Sequence, residues 1–469
     1  MLFRSNQRTC EPVNQRTLEP ANPHTGEPGS LPLLLLLFVG SGCAALIYEV
    51  VWFQLLELVI GSSAVSLGVL LGTFMSGMCL GSLLLPRLLS ADRHPMRVYA
   101  ALELAIGAFG LLLLFGMPLV GRLYTAWAGT GVAGILVRGI AAAVCLLPPT
   151  ILMGATLPAI ARWVETSRYG VAWLGYFYGG NTAGAVIGSL LAGYYLLRVH
   201  DVAVASYVAV GLNVLVAALA LWLSSRAQAA HRASSAAEEA GGAMSAAPAP
   251  SLEPTTVPTP ESVPVPTPDR TPVEDEDSWP VYVAIALSGL TALACEVLWT
   301  RTLSLLFGAT TYTFSLILAV FLFGLGIGSS IGAAIGRRSA RPRLALGWCQ
   351  VGVAVAMAWT SWTLTESMPY WPINPSLTPE PWFQFQLDLT RSLFAVLPGS
   401  LLWGASFPLA LASLARRGDD PARLVSGVYA ANTLGAIVGS LGASLVLTVL
   451  IGTQRSQQLM VRSEEHTSE

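Results

Sequence analysis

Two carboxylates carry the clearest chemistry in this sequence. Glu49 is the ninth residue of the motif SGCAALIYEVVW at Ser41 to Trp52, and Glu296 the ninth of SGLTALACEVLW at Ser288 to Trp299, an ungapped offset of 288 − 41 = 247. Both acids stand inside apolar runs of membrane-spanning length. A carboxylate there costs about 2.5 to 3.5 kcal/mol on insertion scales, so it normally faces a cavity, a partner or the bundle interior. Repeat-equivalent acids would lie across a pseudo-two-fold axis, where a pair would hold a polyamine or other cation, or carry a proton. A purely structural role fits the same pattern: each Glu hydrogen-bonds a neighbouring helix, with Trp52 and Trp299 one turn on as packing or interfacial anchors.

Other polar groups recur with the same logic. Glu103 has Gln350 at the offset of 247, a polar position in both halves that carries a carboxyl in only one. YGGNTAGAVIGSL at Tyr178 to Leu190 parallels YAANTLGAIVGSL at Tyr429 to Leu441, so Tyr178, Tyr429, Asn181 and Asn432 join the candidates; the asparagines would bond between helices or line a cavity. Arg138, Arg301, Asp388 and Arg391 fall in or near helix ends, where snorkelling to headgroups accounts for them, interior pairing being the alternative. GLGIGSS at Gly324 to Ser330 superficially resembles a nucleotide loop. Its counterpart keeps only Gly77 and Gly81, four apart, which is the spacing that lets helix backbones approach closely in lipid. The six cysteines show no CxxC or CxxH spacing, and neither a metal site nor a catalytic group emerges.

The elements that must position these groups follow from composition. Of 469 residues 54% are hydrophobic and 11% charged, with a mean hydropathy of +0.61. A soluble chain carries about 25% charged residues, so this one cannot clothe a water-exposed surface. The partner it requires is the lipid bilayer. All 25 basic residues are Arg, consistent with a GC-rich bacterial genome, and nothing indicates a nucleic-acid footprint. Apolar runs lie at about 31 to 60, 62 to 85, 97 to 120, 132 to 164, 171 to 198 and 202 to 224, and again at 281 to 307, 310 to 336, 344 to 364, 386 to 415 and 422 to 451. The spacing predicts an all-α polytopic membrane protein, with a first repeat over 31 to 226 and a second over 280 to 452. Three octapeptide copies at 6 to 29 suggest a disordered tail over 1 to 30 or an overcalled start codon. The Ala-, Pro- and Thr-rich stretch at 227 to 279 reads as a flexible linker.

Arg counts set the expected orientation. Arg87, Arg93, Arg97, Arg162 and Arg168 flank two first-half loops, and Arg337, Arg338, Arg341, Arg343, Arg416, Arg417 and Arg423 flank their counterparts, whereas the intervening loops are poor in Arg. The N-terminus and linker are therefore expected on the cytoplasmic side of a bacterial inner membrane. GATLP at Gly154 to Pro158 parallels GASFP at Gly404 to Pro408, a third matched block in the same order. Six helices separate equivalent points, so the two halves share one orientation about an axis along the membrane normal. This arrangement resembles the major facilitator superfamily, two parallel six-helix repeats, here with the twelfth helix missing. The last eight residues, Arg462 to Glu469, read RSEEHTSE, the translation of a common sequencing-library adapter; 453 to 469 are thus expected to be a truncated end.

The pair SG..AL.YEVVW at Ser41 to Trp52 and Y..NT.GA..GS..AG at Tyr178 to Gly193 resembles bacterial fused membrane/spermidine synthase-like proteins. The resemblance implies a major-facilitator-like module preceding a cytoplasmic aminopropyltransferase-like domain that uses decarboxylated S-adenosylmethionine. It covers roughly 31 to 452 and stops before any such domain, so it implies no cofactor and no aminopropyl transfer for this chain. Three roles follow as expectations: a module serving that absent domain with a small cationic amine as partner, a stand-alone secondary transporter, or an anchor without transport.

Overall fold

The structure, a computed structural model, describes residues 31–60, 63–88, 94–127, 132–164, 170–244, 278–308, 310–371, 380–415 and 421–447. The expected tail at 1 to 30, most of the linker (245 to 277) and the segment 453 to 469 lie outside the described residues.

Eleven helices in the described residues are long and apolar enough to cross a membrane. In the first half they are α1 (Leu31–Ile60), α2 (Ser63–Leu88), α3 (Pro95–Trp127), α4 (Val132–Val164), α5 (Gly170–Leu190, continued by a π turn at Leu191–Leu196 and a last turn to Val199) and α6 (Val202–Met244). The second half supplies α7 (Trp279–Phe307), α8 (Thr310–Arg338), α9 (Pro342–Trp362), α10 (Pro381–Leu414) and α11 (Pro421–Gly442, continued by a π turn at Ala443–Leu447). In lipid the backbone must satisfy its own polar groups, so apolar stretches of this length fold as helices. Pro148, Pro149 and Pro158 in α4, and Pro398 and Pro408 in α10, are carried within continuous helices. One boundary differs from the expectation: α6 runs on to Met244, because the opening of the stretch read as linker, AQAAHRASSAAEEA, is rich in the strongest helix former.

The halves repeat each other's packing. α1 packs on α5 as α7 does on α11, α2 on α4 as α8 on α10, and α3 on α4 as α9 on α10. The halves meet where α2 crosses α11 and α8 crosses α5, a symmetric pair of contacts. The first half adds α6 against α1 and α3, and no counterpart of α6 is among the described residues.

Glycines make these contacts close. A methyl on Gly42, Gly184 or Gly188 would overlap the backbone carbonyls of Asn181, Val39 and Cys43; their equivalents Gly289, Gly435 and Gly439 meet Asn432, Ala286 and Leu290 in the same way. Gly77 and Gly81 abut Thr150 and Ile151, while Gly324 and Gly328 abut Ser400 and Leu401. The Gly324 to Ser330 motif is therefore a helix-packing seam. The inter-half contacts also mirror each other: Ser189 Oγ donates to the Ser315 carbonyl at 2.7 Å and Ser315 Oγ donates to the Ser189 carbonyl, with Gly193 beside Ser315. Across the axis Gly68 lies against Ser440 and Ser444.

Candidate functional site

α1 and α7 bring Glu49 and Glu296 into the interior, 4% and 2% exposed. Neither forms an ion pair with a described residue, and Glu296 Oε1 has no hydrogen-bond partner among them. The same two helices carry packed aromatic rings. Tyr48 and Trp52 stack with centroids 5.3 Å apart, Trp299 tilts against Trp403 at 5.5 Å, and Phe53 meets Phe314 at 4.7 Å. Trp52 and Trp299 are each 1% exposed, so they are core residues and the interfacial-anchor alternative is set aside. Two acids in a low-dielectric interior, without a counter-cation among the described residues, have the chemistry to accept a cation or a proton.

A second polar group forms inside the first half. Glu103 on α3 is buried, and its Oε1 accepts from Ser41 Oγ and its Oε2 from Asn213 Nδ2, both at 2.6 Å. Ser41 and Asn213 line a cavity of about 80 Å³ to which all six first-half helices contribute, with Asn181, Thr156, Met78 and Met153 among its walls. The counterpart Gln350 donates to Ser406 Oγ at 3.1 Å on α10. Asn432 is half-buried on α11 with its carbonyl against Gly289, and Tyr429 is half-buried on the same helix. Tyr178 belongs to α5, its side chain lying outside the described residues. The candidates thus divide between Glu49 and Glu296, on α1 and α7, and Glu103 and Asn181, on α3 and α5 of the first half.

Two placements depart from the sequence reading. Asp388 and Arg391 do not snorkel: both are buried on α10 and pair at 3.7 Å, with Tyr312 and Gln384 donating to Asp388. Tyr194 on α5 reaches this group, contacting Tyr312 and Phe385 and donating to the Pro381 carbonyl at 2.9 Å. Arg301, by contrast, is exposed, as snorkelling requires. The sequence reading missed Ser41 and Asn213 as partners of Glu103. Ser41 opens the duplicated motif and carried a signal; Asn213 has no counterpart in any duplicated block.

No protein-family model matches the chain, and neither does any curated protein. Solved structures do. The chain is similar to a bacterial homologue of the human lysosomal transporter Spinster, in an inward-facing and unoccupied conformation, with a TM-score of 0.56 at 14% identity over 94% of this chain and 95% of that one. It is also similar to a bacterial metal transporter, with a TM-score of 0.52 at 12% identity over 94% and 98% of the two chains. At these identities the likeness concerns the fold. The protein is a multi-pass all-α membrane protein with a major-facilitator-like fold.

Proposed function

We propose that the protein is a secondary transporter of a small cationic solute, an amine being the class tested first, with Glu49 and Glu296 as the central cation- or proton-binding pair. The observation that carries the reading is the pair itself: two buried acids at repeat-equivalent positions with no counter-cation in the described residues. A merely structural acid would be expected to have its oxygens bonded, and Glu296 Oε1 is not. The Arg distribution supports a cytoplasmic placement of the N-terminus and of the segment after α6, in a bacterial inner membrane.

A second reading rests on the duplicated SG..AL and Y..NT motifs, which resemble the fused spermidine synthase-like proteins: the module would serve an aminopropyltransferase domain encoded downstream. The two solved structures described above are a homologue of a lysosomal transporter and a metal transporter, which favours the first reading.

The test is uptake of radiolabelled spermidine and putrescine into proteoliposomes. Wild type is expected to accumulate one of them, and Glu49→Gln with Glu296→Gln to lose it. Unchanged uptake in the double variant removes the acids from the mechanism. No uptake of either amine by a folded wild type defeats the amine assignment.

A further inference from the structure

We infer that Asp388 and Arg391, closed over by Tyr194 from the opposite half, form a spring in the seam between the halves: burial of this loosely bonded charge pair opposes closure of the seam, and the contacts of Tyr194 hold it shut.

Contacts between the halves gather at the end of the bundle that carries the Arg-poor loops, where α1, α5 and α11 finish and α2, α8 and α10 begin. Phe53 of α1 meets Phe314 of α8 at 4.7 Å, and Thr311 of α8 donates to Glu57 of α1 at 3.4 Å. Ser189 of α5 donates to the Ser315 carbonyl of α8, and Gly68 of α2 lies against Ser444 of α11. The charge pair belongs to this seam. Along α10, Pro381 is exposed, Gln384 and Phe385 are half-buried, and Asp388 and Arg391 are buried.

The bonding of the pair is poor for its depth. Arg391 is 6% exposed, yet its Nη1 stands 3.7 Å from Asp388 Oδ1, well beyond the roughly 2.7–2.9 Å of a charge-assisted hydrogen bond. Its Nε has no partner among the described residues. Asp388 accepts only long bonds, from Tyr312 at 3.4 Å and from Gln384 at 3.2 and 3.3 Å. A buried ion pair recovers its lost hydration only with close geometry and bonded remaining donors, and both are missing. Water admitted by a parting seam would supply those bonds. The pair is therefore more stable with the seam open, and a difference of that kind is what shifts an equilibrium between two states.

Tyr194 opposes it. Its hydroxyl donates to the Pro381 carbonyl at 2.9 Å, and its ring packs on Phe385 at 4.3 Å and on Tyr312 at 5.8 Å. These bonds join α5 of one half to α8 and α10 of the other, so they exist only while the seam is shut. The equivalent crossing has no such device. In the register that pairs Gly154 with Gly404, Ala141 stands where Arg391 does; in that pairing Asn181 with Asn432, Leu445 stands where Tyr194 does; and Val65 answers to Tyr312. That crossing packs small and apolar groups instead, Gly68 and Gly72 against Ser444 and Leu441.

The inference takes from the transporter reading only that the halves part at this end, and its test involves no solute. The experiment measures how fast a water-soluble maleimide modifies a Ser315→Cys reporter, a seam position 2% exposed, in the full chain in detergent with all other cysteines removed. The reporter protein is expected to label slowly but measurably. Asp388→Leu with Arg391→Met is expected to label at least roughly fivefold more slowly, because apolar replacement of such a pair favours the buried state. Tyr194→Phe is expected to label roughly two- to tenfold faster through loss of the hydroxyl bond. If the apolar pair does not fold, Asp388→Asn with Arg391→Gln decides, with slowing again expected. Labelling of the neutralised protein at the reporter's own rate or faster, as a merely stabilising pair would give, overturns the spring, and so does Tyr194→Phe without acceleration. No labelling in any variant removes the parting seam and the transporter reading with it, whereas failure of amine uptake alone leaves the spring in place.

Discussion

Asp388 and Arg391 show what burial does to a charge. Their spacing, three residues along one helix, was visible in the sequence, yet the same spacing suits two side chains reaching for headgroups. Depth decides between these, and depth depends on which helices cover α10. Here α8 and α5 do, through Tyr312 and Tyr194, so the pair is interior. Removing one partner leaves the other buried and uncompensated. Arg391→Ala is therefore expected to lower stability by about 3 kcal/mol, read as a lower melting temperature in detergent, and a further Asp388→Ala change to restore part of the loss. A wild-type melting curve for the single variant would show that Asp388 reaches water. The acids at 49, 103 and 296 follow the same rule: their burial was legible from the apolar runs around them, whereas the partners of Glu103 came from α1 and α6, remote in the chain.

Helices in this bundle are placed by what their glycines lack. No aqueous hydrophobic effect draws helices together in lipid, so close backbone approach carries the packing. Gly188 and Gly439 each leave no room for a methyl against a carbonyl of α1 or α7, while Gly211 on α6 has nothing near it. Gly188→Ala and Gly439→Ala are thus expected to destabilise by similar amounts, about 1–3 kcal/mol, and Gly211→Ala to be neutral or to stabilise by up to ~1 kcal/mol through helix propensity. Thermal unfolding of the three variants checks the ranking. Tolerance of Gly188→Ala would mean that α1 and α5 sit farther apart. The four-residue spacing of small residues marked such seams in the sequence, but spacing alone does not name the facing helix. The Gly324 to Ser330 run had a competing reading as a nucleotide loop until α10 was seen against it.

At the scale of the molecule, two equivalent halves touch through two equivalent crossings, and an alternating-access cycle would have to work them in turn. The reciprocal Ser189 and Ser315 bonds tie α5 to α8. Oxidative cross-linking of a Ser189→Cys, Ser315→Cys variant is expected to fasten the halves and to stop any uptake, with recovery on reduction. Uptake that persists in the fully cross-linked protein would mean that the crossing stays shut throughout the cycle. Orientation is tested separately with single cysteines placed at Ser339 and at Pro381 in a cysteine-free background. An impermeant thiol reagent applied to intact cells is expected to reach the second and not the first; the reverse pattern would invert the topology inferred from Arg.

The sequence by itself determined that this is a membrane bundle, how many spans the apolar runs supply, that the halves are parallel copies, and that acids at 49 and 296 occupy equivalent places. These properties live in hydropathy, helical length and internal repetition, which are local or self-referential. Only the tertiary structure decided that Asp388 and Arg391 pair inside and that Ser41 and Asn213 hold Glu103. Those depend on how helices far apart in the chain turn toward one another, and a one-dimensional pattern records the period of a helix without its rotation.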